Sequence, residues 1–268
     1  MKKFFKSIGK AILYLLFYFG IQLIVGFAFG ILVTVYMMLS GNADLTALES
    51  DLMEYTTIIV LISNTLSLLF IWLFFIIRKK RLLAEVQLRK CSVKQLVAVV
   101  LLGLGFSNVL SWVIEMIPFP ENLVESFVTS HDALSIGNPI INFISVVIVA
   151  PVFEEIFFRG LIYTRLKFGM PTVIAAVFSA VVFGVMHGEI IWMLYAFVVG
   201  LMLVWVFEKT KSLLACIAVH VANNGLSQLT ENMPEISIWA EYVILLVSLV
   251  FLVVSAIYII KTDGEKDG

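Results

Sequence analysis

Charge is scarce in this chain: Asp, Glu, Lys and Arg make up 14% of its 268 residues, against 61% for hydrophobic ones. Ordinary soluble domains carry far more charge, so the composition excludes them and requires an integral membrane protein. Cysteine is nearly absent, with only Cys91 and Cys216, in no pairing pattern. No disulfide framework is implied, and Cys91, in a basic loop where palmitoylation occurs, reads as an ordinary thiol. Long linkers, low-complexity tracts and internal repeats visible by eye are also lacking, which leaves one polytopic domain. The net charge is −1, and the basic residues are dispersed rather than gathered into a patch, so nothing points to nucleic acid.

What the chain has in quantity is apolar runs. Windows long enough to cross a hydrocarbon core fall at about 11–39, 56–77, 95–117 and 139–164, then at about 172–187, 190–207, 212–229 and 238–260. The expected fold is therefore all-α, a polytopic membrane protein with about eight transmembrane helices. The fifth window is short and ends on His187, so its helix either runs past Gly188 or ends sunk in the protein.

The basic residues test that count independently, because cytoplasmic loops carry the Lys/Arg excess. With eight spans, every Lys and Arg except Arg159 falls at the termini or in even-numbered loops: Lys2 to Lys10, Arg78 to Lys94, Arg165 and Lys167, Lys209 and Lys211, Lys261 and Lys266. The odd-numbered loops hold Asp44, Glu49, Asp51 and Glu54, then Glu121, Glu125 and Asp132, then Glu189, then Glu231 and Glu235. Both termini are thus expected in the cytoplasm of a multi-pass cell-membrane protein. The first apolar stretch, too long for a signal peptide and without a convincing cleavage site, reads as the first span. Residues 78–94 mix basic and apolar side chains as an interfacial amphipathic helix would. The acidic loop 118–138 is apolar enough to cover the outer face but offers no recognisable site.

Three charges inside the fourth window demand an explanation. Glu154, Glu155 and Arg159 form the run EEIFFR, and ionisable residues in a spanning helix mark function because burying them in hydrocarbon is costly. Glu155 and Arg159, four residues apart, share a helix face where a salt bridge offsets much of that cost. Glu154 points about 100° away and has no partner at that spacing, which suits a general base. Pro151, lacking an N–H, frees a carbonyl and kinks the same span beside what would be a wet cavity.

Two further constellations follow. FGVMH places Phe183 one turn before His187, and HVANN aligns His220 with Asn224 on one face, with Asn223 beside them. Singly, each fits packing: a hydrogen-bonded histidine, or Asn as glue between helices. Together, Glu and His can deprotonate a water, and His and Asn donors can stabilise the oxyanion formed when it attacks a peptide carbonyl. Ser63, Asn64, Ser107, Asn108 and Asn142 read as hydrogen bonds between helices, and Glu189 as a solvated interfacial charge.

EExxxR, FxxxH and HxxxN in that order on successive spans resemble the CPBP intramembrane proteases, which include type II CAAX prenyl endopeptidases and bacterial Abi-like proteins. The resemblance covers about 139–230, a catalytic helical core, between N-terminal transmembrane helices over 1–138 and a last helix and tail over 231–268. It implies that Glu154, with His187, activates water, that His220 and Asn224 form the oxyanion hole, and that Glu155 and Arg159 support structure and protonation. The implied partner is a membrane-associated peptide or protein, prenylated in the CAAX-type case. Because members are often called metalloproteases, a divalent metal such as zinc on Glu154, His187 and His220 stands beside a metal-free glutamate mechanism. Against the metal, there is no HExxH, the ligands come from three separate helices, and using all three would leave no obvious second carboxylate as base. Two other classes stay open. One is a non-catalytic scaffold or bacteriocin self-immunity protein; the other is an ion or proton-coupled transporter, for which inverted repeats and paired broken helices are lacking.

Overall fold

The computed structural model describes residues 2–40, 45–230, 233–234 and 236–263. Among these residues the secondary structure is helical throughout, in the order α1 (Lys2–Ser40), α2 (Leu45–Ile77), the short α3 (Leu82–Glu85), α4 (Val93–Glu115) and α5 (Glu121–Ser135). A continuous helix α6 (Pro139–Gly169) follows, then α7 (Thr172–Val185), α8 (Ile190–Thr210), α9 (Leu213–Thr230) and α10 (Ile238–Asp263). Each expected window lies on a helix. Among the described residues six are long and apolar enough to cross a membrane, namely α1, α2 from Tyr55, α4, α6, α8 and α10, and α7 is a shorter apolar helix.

Lipid tails are as apolar as leucine, so membrane helices associate through close packing and hydrogen bonds. Glycine permits the closest approach. In α4, Gly103 and Gly105 project about 200° apart, so that a Cβ at Gly103 would lie 2.5 Å from the Val219 carbonyl oxygen of α9, and one at Gly105 2.5 Å from that of Ser248 in α10. Gly184 and Gly200 do the same for α7 and α8: a Cβ on Gly184 would meet the Met193 carbonyl at 2.7 Å. Gly103→Ala is expected to lower stability by about 1–3 kcal/mol through overpacking, read as a fall in thermal unfolding temperature in detergent. Gly9→Ala, with nothing within 4 Å of the new methyl, should not destabilise.

Two connecting segments depart from expectation. Residues 78–94 do not form an interfacial helix. Left-handed backbone at Lys79 (φ 52°) and Gln87 (φ 55°) confines helix to Leu82–Glu85. The rest is tied to α9: Leu213 N–H donates to the Gln87 carbonyl (3.1 Å), and Ser212 Oγ to that of Arg89 (2.6 Å). Val86, fully buried, packs where Gly160 of α6 leaves no Cβ in its way. The acidic 118–138 loop instead contains α5, which packs on α2, α6 and α10's neighbour α8.

Asn108 and Asn64 do bond between helices, to Ser248 (2.9 Å) and Gln22 (3.2 Å). Ser63 instead donates to the Val60 carbonyl in its own helix, and Asn142 to the Ile136 carbonyl in the preceding turn.

Candidate active site

The acidic pair sits midway along α6, where the helix changes register. Ile144–Val149 and Glu155–Tyr163 are π-helical, separated by the α-helical turn Ala150–Glu154, and such π-segments are common at functional sites. Pro151 is accommodated by this widened register rather than by a break. Ala150 N–H bonds the Ser145 carbonyl, five residues back. The next donor in that register would be residue 151, which as proline has none, and so the Val146 carbonyl is released. Asn224 Nδ2 donates to it at 3.0 Å.

Adjacent carboxylates meet different surroundings because successive helix residues diverge. Glu155 is fully buried, and its Oε1 accepts from Arg159 Nη1 and faces His220 Nδ1, each at 2.8 Å. Arg159 is also buried, with its guanidinium 4.2 Å from the Phe183 ring centroid and Nη2 3.5 Å from the Gly200 carbonyl. Glu154, 22% exposed, has its Oε2 3.6 Å from His220 Nε2. His220 therefore stands between the two glutamates.

His187 follows the end of α7, in the turn closed by Gly188 (φ 81°). Its Nδ1 lies 2.9 Å from the Phe183 carbonyl. A carbonyl can only accept, so Nδ1 carries the hydrogen and Nε2 of the neutral ring keeps its lone pair. Phe183 thereby joins all three motifs: its ring lies 4.9 Å from that of His187, 5.8 Å from that of His220 and against Arg159.

Glu154, His187, His220 and Asn224 line one cavity of about 390 Å³, whereas Glu155 and Arg159 lie behind its wall. The cavity also takes in residues the motif pattern does not single out: Glu115 from the end of α4, His131 and Phe127 from α5, Trp192 and Tyr195 from α8, and Asn223. Asn223 belongs to a polar chain across three helices. Ser107 Oγ lies 3.2 Å from Tyr195 Oη, which donates to Asn223 Oδ1 (3.1 Å); Asn223 Nδ2 in turn donates to Asn224 Oδ1 (3.2 Å). Ser107 is thus an interhelical bond, but one that orients a cavity residue. A lone Tyr or Ser in an apolar run gives no periodic signal of this. Glu189 is not freely solvated, since it accepts from Ser126 Oγ (2.6 Å) and Ser130 Oγ (3.3 Å) and so fastens α5 to the turn that carries His187.

Among the described residues, no three His, Cys, Asp or Glu side chains are grouped closely enough to hold a metal ion. Glu154 and His220 approach one another, but His187 does not complete a ligand set with them, so these donors do not fit a zinc site as arranged.

Residues 136–226 match the family model for type II CAAX prenyl endopeptidases of the Rce1-like kind. Over that segment the chain is similar to this CAAX protease family. The matched third of the chain includes all three motifs and every residue of the Glu154 and His220 cluster. No curated protein and no solved structure matches the chain. With six helices among the described residues long and apolar enough to cross a membrane, the fold is that of a multi-pass membrane protein.

The Pro151 and Asn224 pairing has a measurable consequence. Asn224→Ala should cost about 1–3 kcal/mol by leaving the Val146 carbonyl unpaired. In a Pro151→Ala background, where an N–H is restored, the same change should cost clearly less. Thermal unfolding of the four proteins in a double-mutant cycle gives the coupling.

Proposed function

We propose that Glu154 is the general base of a peptide-bond hydrolysis within the membrane. A water in the cavity gives its proton to the Glu154 carboxylate, assisted by the free Nε2 of His187, and attacks the scissile carbonyl. Asn224 has two amide hydrogens. One is held by Val146, which leaves the other for the oxyanion, and His220 donates from Nε2 when protonated. As the tetrahedral intermediate collapses, the C–N bond breaks and the proton passes from Glu154 to the leaving amine. Glu155 and Arg159 act through His220, holding its ring by Nδ1.

The observation that carries this reading is the meeting of Glu154, His187, His220 and Asn224, from two helices and the turn after a third, on the wall of a single cavity. The test is cleavage of a peptide panel, farnesylated CAAX peptides included, by protein reconstituted in liposomes. Wild type should cleave at least one member. Survival of activity in chelator would favour water activated by the carboxylate alone, and loss would bring in a metal. No cleavage by folded wild type across the panel would overturn the reading in favour of a non-catalytic scaffold.

A further inference from the structure

The cavity lies toward one end of the helices, and the charge pattern says which end. α4, α7 and α9 all start beside basic segments, at Lys94, Lys167 and Lys211, and their far ends are where Glu115, His187 and Ser227 reach the cavity. Glu115 and Ser227 are exposed and form its rim. At about 1.5 Å per residue the 14 residues of α7 span only about 21 Å, short of a hydrocarbon core of roughly 30 Å. The turn bearing His187 thus stops below the surface at that end. α5 drops into the space, held by Ser126 and Ser130 on Glu189, with Phe127 and His131 against Trp192 at 6.1 and 6.2 Å.

The basic end is closed. Phe157, Leu161, Tyr163 and Leu203 are all fully buried. Beyond them Glu208 ties Tyr163 (2.9 Å), Lys167 (2.5 Å) and Lys211 (2.9 Å) together, and Val86 seals against Gly160.

The lining adds a chemical constraint. Its charged side chains among the described residues are Glu115 and Glu154, with no Lys or Arg. Arg159 is committed to Glu155. A free C-terminal carboxylate beside the scissile bond would meet these like charges with no Lys or Arg in the lining to offset them.

Since basic loops mark the cytoplasm, we infer that this site takes its substrate from the extracytoplasmic side and cuts within a neutral or cationic peptide segment rather than beside a C-terminal carboxylate. The substrate half rests on the peptidase reading above; the sidedness does not.

Single cysteines at Ser227, Glu121 and Lys90, in a Cys91→Ser, Cys216→Ser background, test the sidedness with a membrane-impermeant maleimide on intact cells. Ser227→Cys and Glu121→Cys should be labelled from outside, and Lys90→Cys only after permeabilisation. The reverse pattern, or labelling of all three from one side, overturns the inference while leaving the peptidase reading intact. For the substrate, a peptide ending just past the scissile bond in a carboxamide should be cleaved about tenfold or more faster than its carboxylate twin. Equal rates would overturn the carboxylate argument. Cleavage of neither peptide, with labelling as expected, would count against the peptidase reading and not against the sidedness.

Discussion

Glu154→Gln is expected to abolish peptide cleavage while the protein still folds. The amide keeps the shape of the side chain but cannot take up a proton, and a positioned general base contributes about 10²–10⁴-fold. Little stability should be lost. Glu154 is part-exposed, and its ion-pair partner, His220 Nε2, is 3.6 Å away, beyond hydrogen-bonding distance. The measurement is turnover in liposomes together with the thermal unfolding temperature in detergent. Activity above about a hundredth of wild type would remove Glu154 from the role of base. A large drop in unfolding temperature would mean that the carboxylate serves the fold instead. In cells the same variant separates proteolysis from scaffolding, because a scaffold would keep its phenotype at unchanged protein level.

Arg159→Met is expected to have the largest effect on stability. Glu155 and Arg159 are both buried and joined at 2.8 Å, and removing one partner of such a pair costs about 3–5 kcal/mol because the other is left charged and uncompensated. Here the abandoned carboxylate would retain only His220 Nδ1. Arg159→Lys should rescue little: an ammonium lacks the planar group that rests on Phe183 while bonding Glu155 and Gly200. Glu155→Gln combined with Arg159→Met removes both charges and should recover more than half of the stability lost by the single change. Activity should stay low in the double variant, since His220 would lose the carboxylate that orients it. If the single and double variants unfold at the same temperature, the pair is not coupled as described.

Seen from these two residues, the division between sequence and structure is physical. The hydrophobic runs are long, and a chain in lipid must satisfy its backbone internally, so helices at all eight windows follow from composition alone. The acidic pair, its i,i+4 Arg159 and the two later motifs were legible because charged and amide side chains stand out in an apolar run. Legible too was the split between Glu155, paired, and Glu154, facing elsewhere, since it depends only on the 100° step between neighbours.

Other features rest on contacts between residues far apart in the chain. No local pattern places His220 between both glutamates, 65 positions from one of them. The same holds for Tyr195 and Ser107, which orient Asn223 and through it Asn224, and for Asn224 capping the carbonyl that Pro151 releases. Residues 78–94 read as an amphipathic helix but became a tied loop, because hydrogen bonds to the start of α9 outweighed local propensity. α5 was the least legible element. Its position in the cavity follows from α7 being too short to fill the space, and from Glu189 finding Ser126 and Ser130. The sequence alone determined the helices, their polarity of charge and the reactive side chains; packing between distant segments decided which of those side chains meet, and at which end of the bundle they meet.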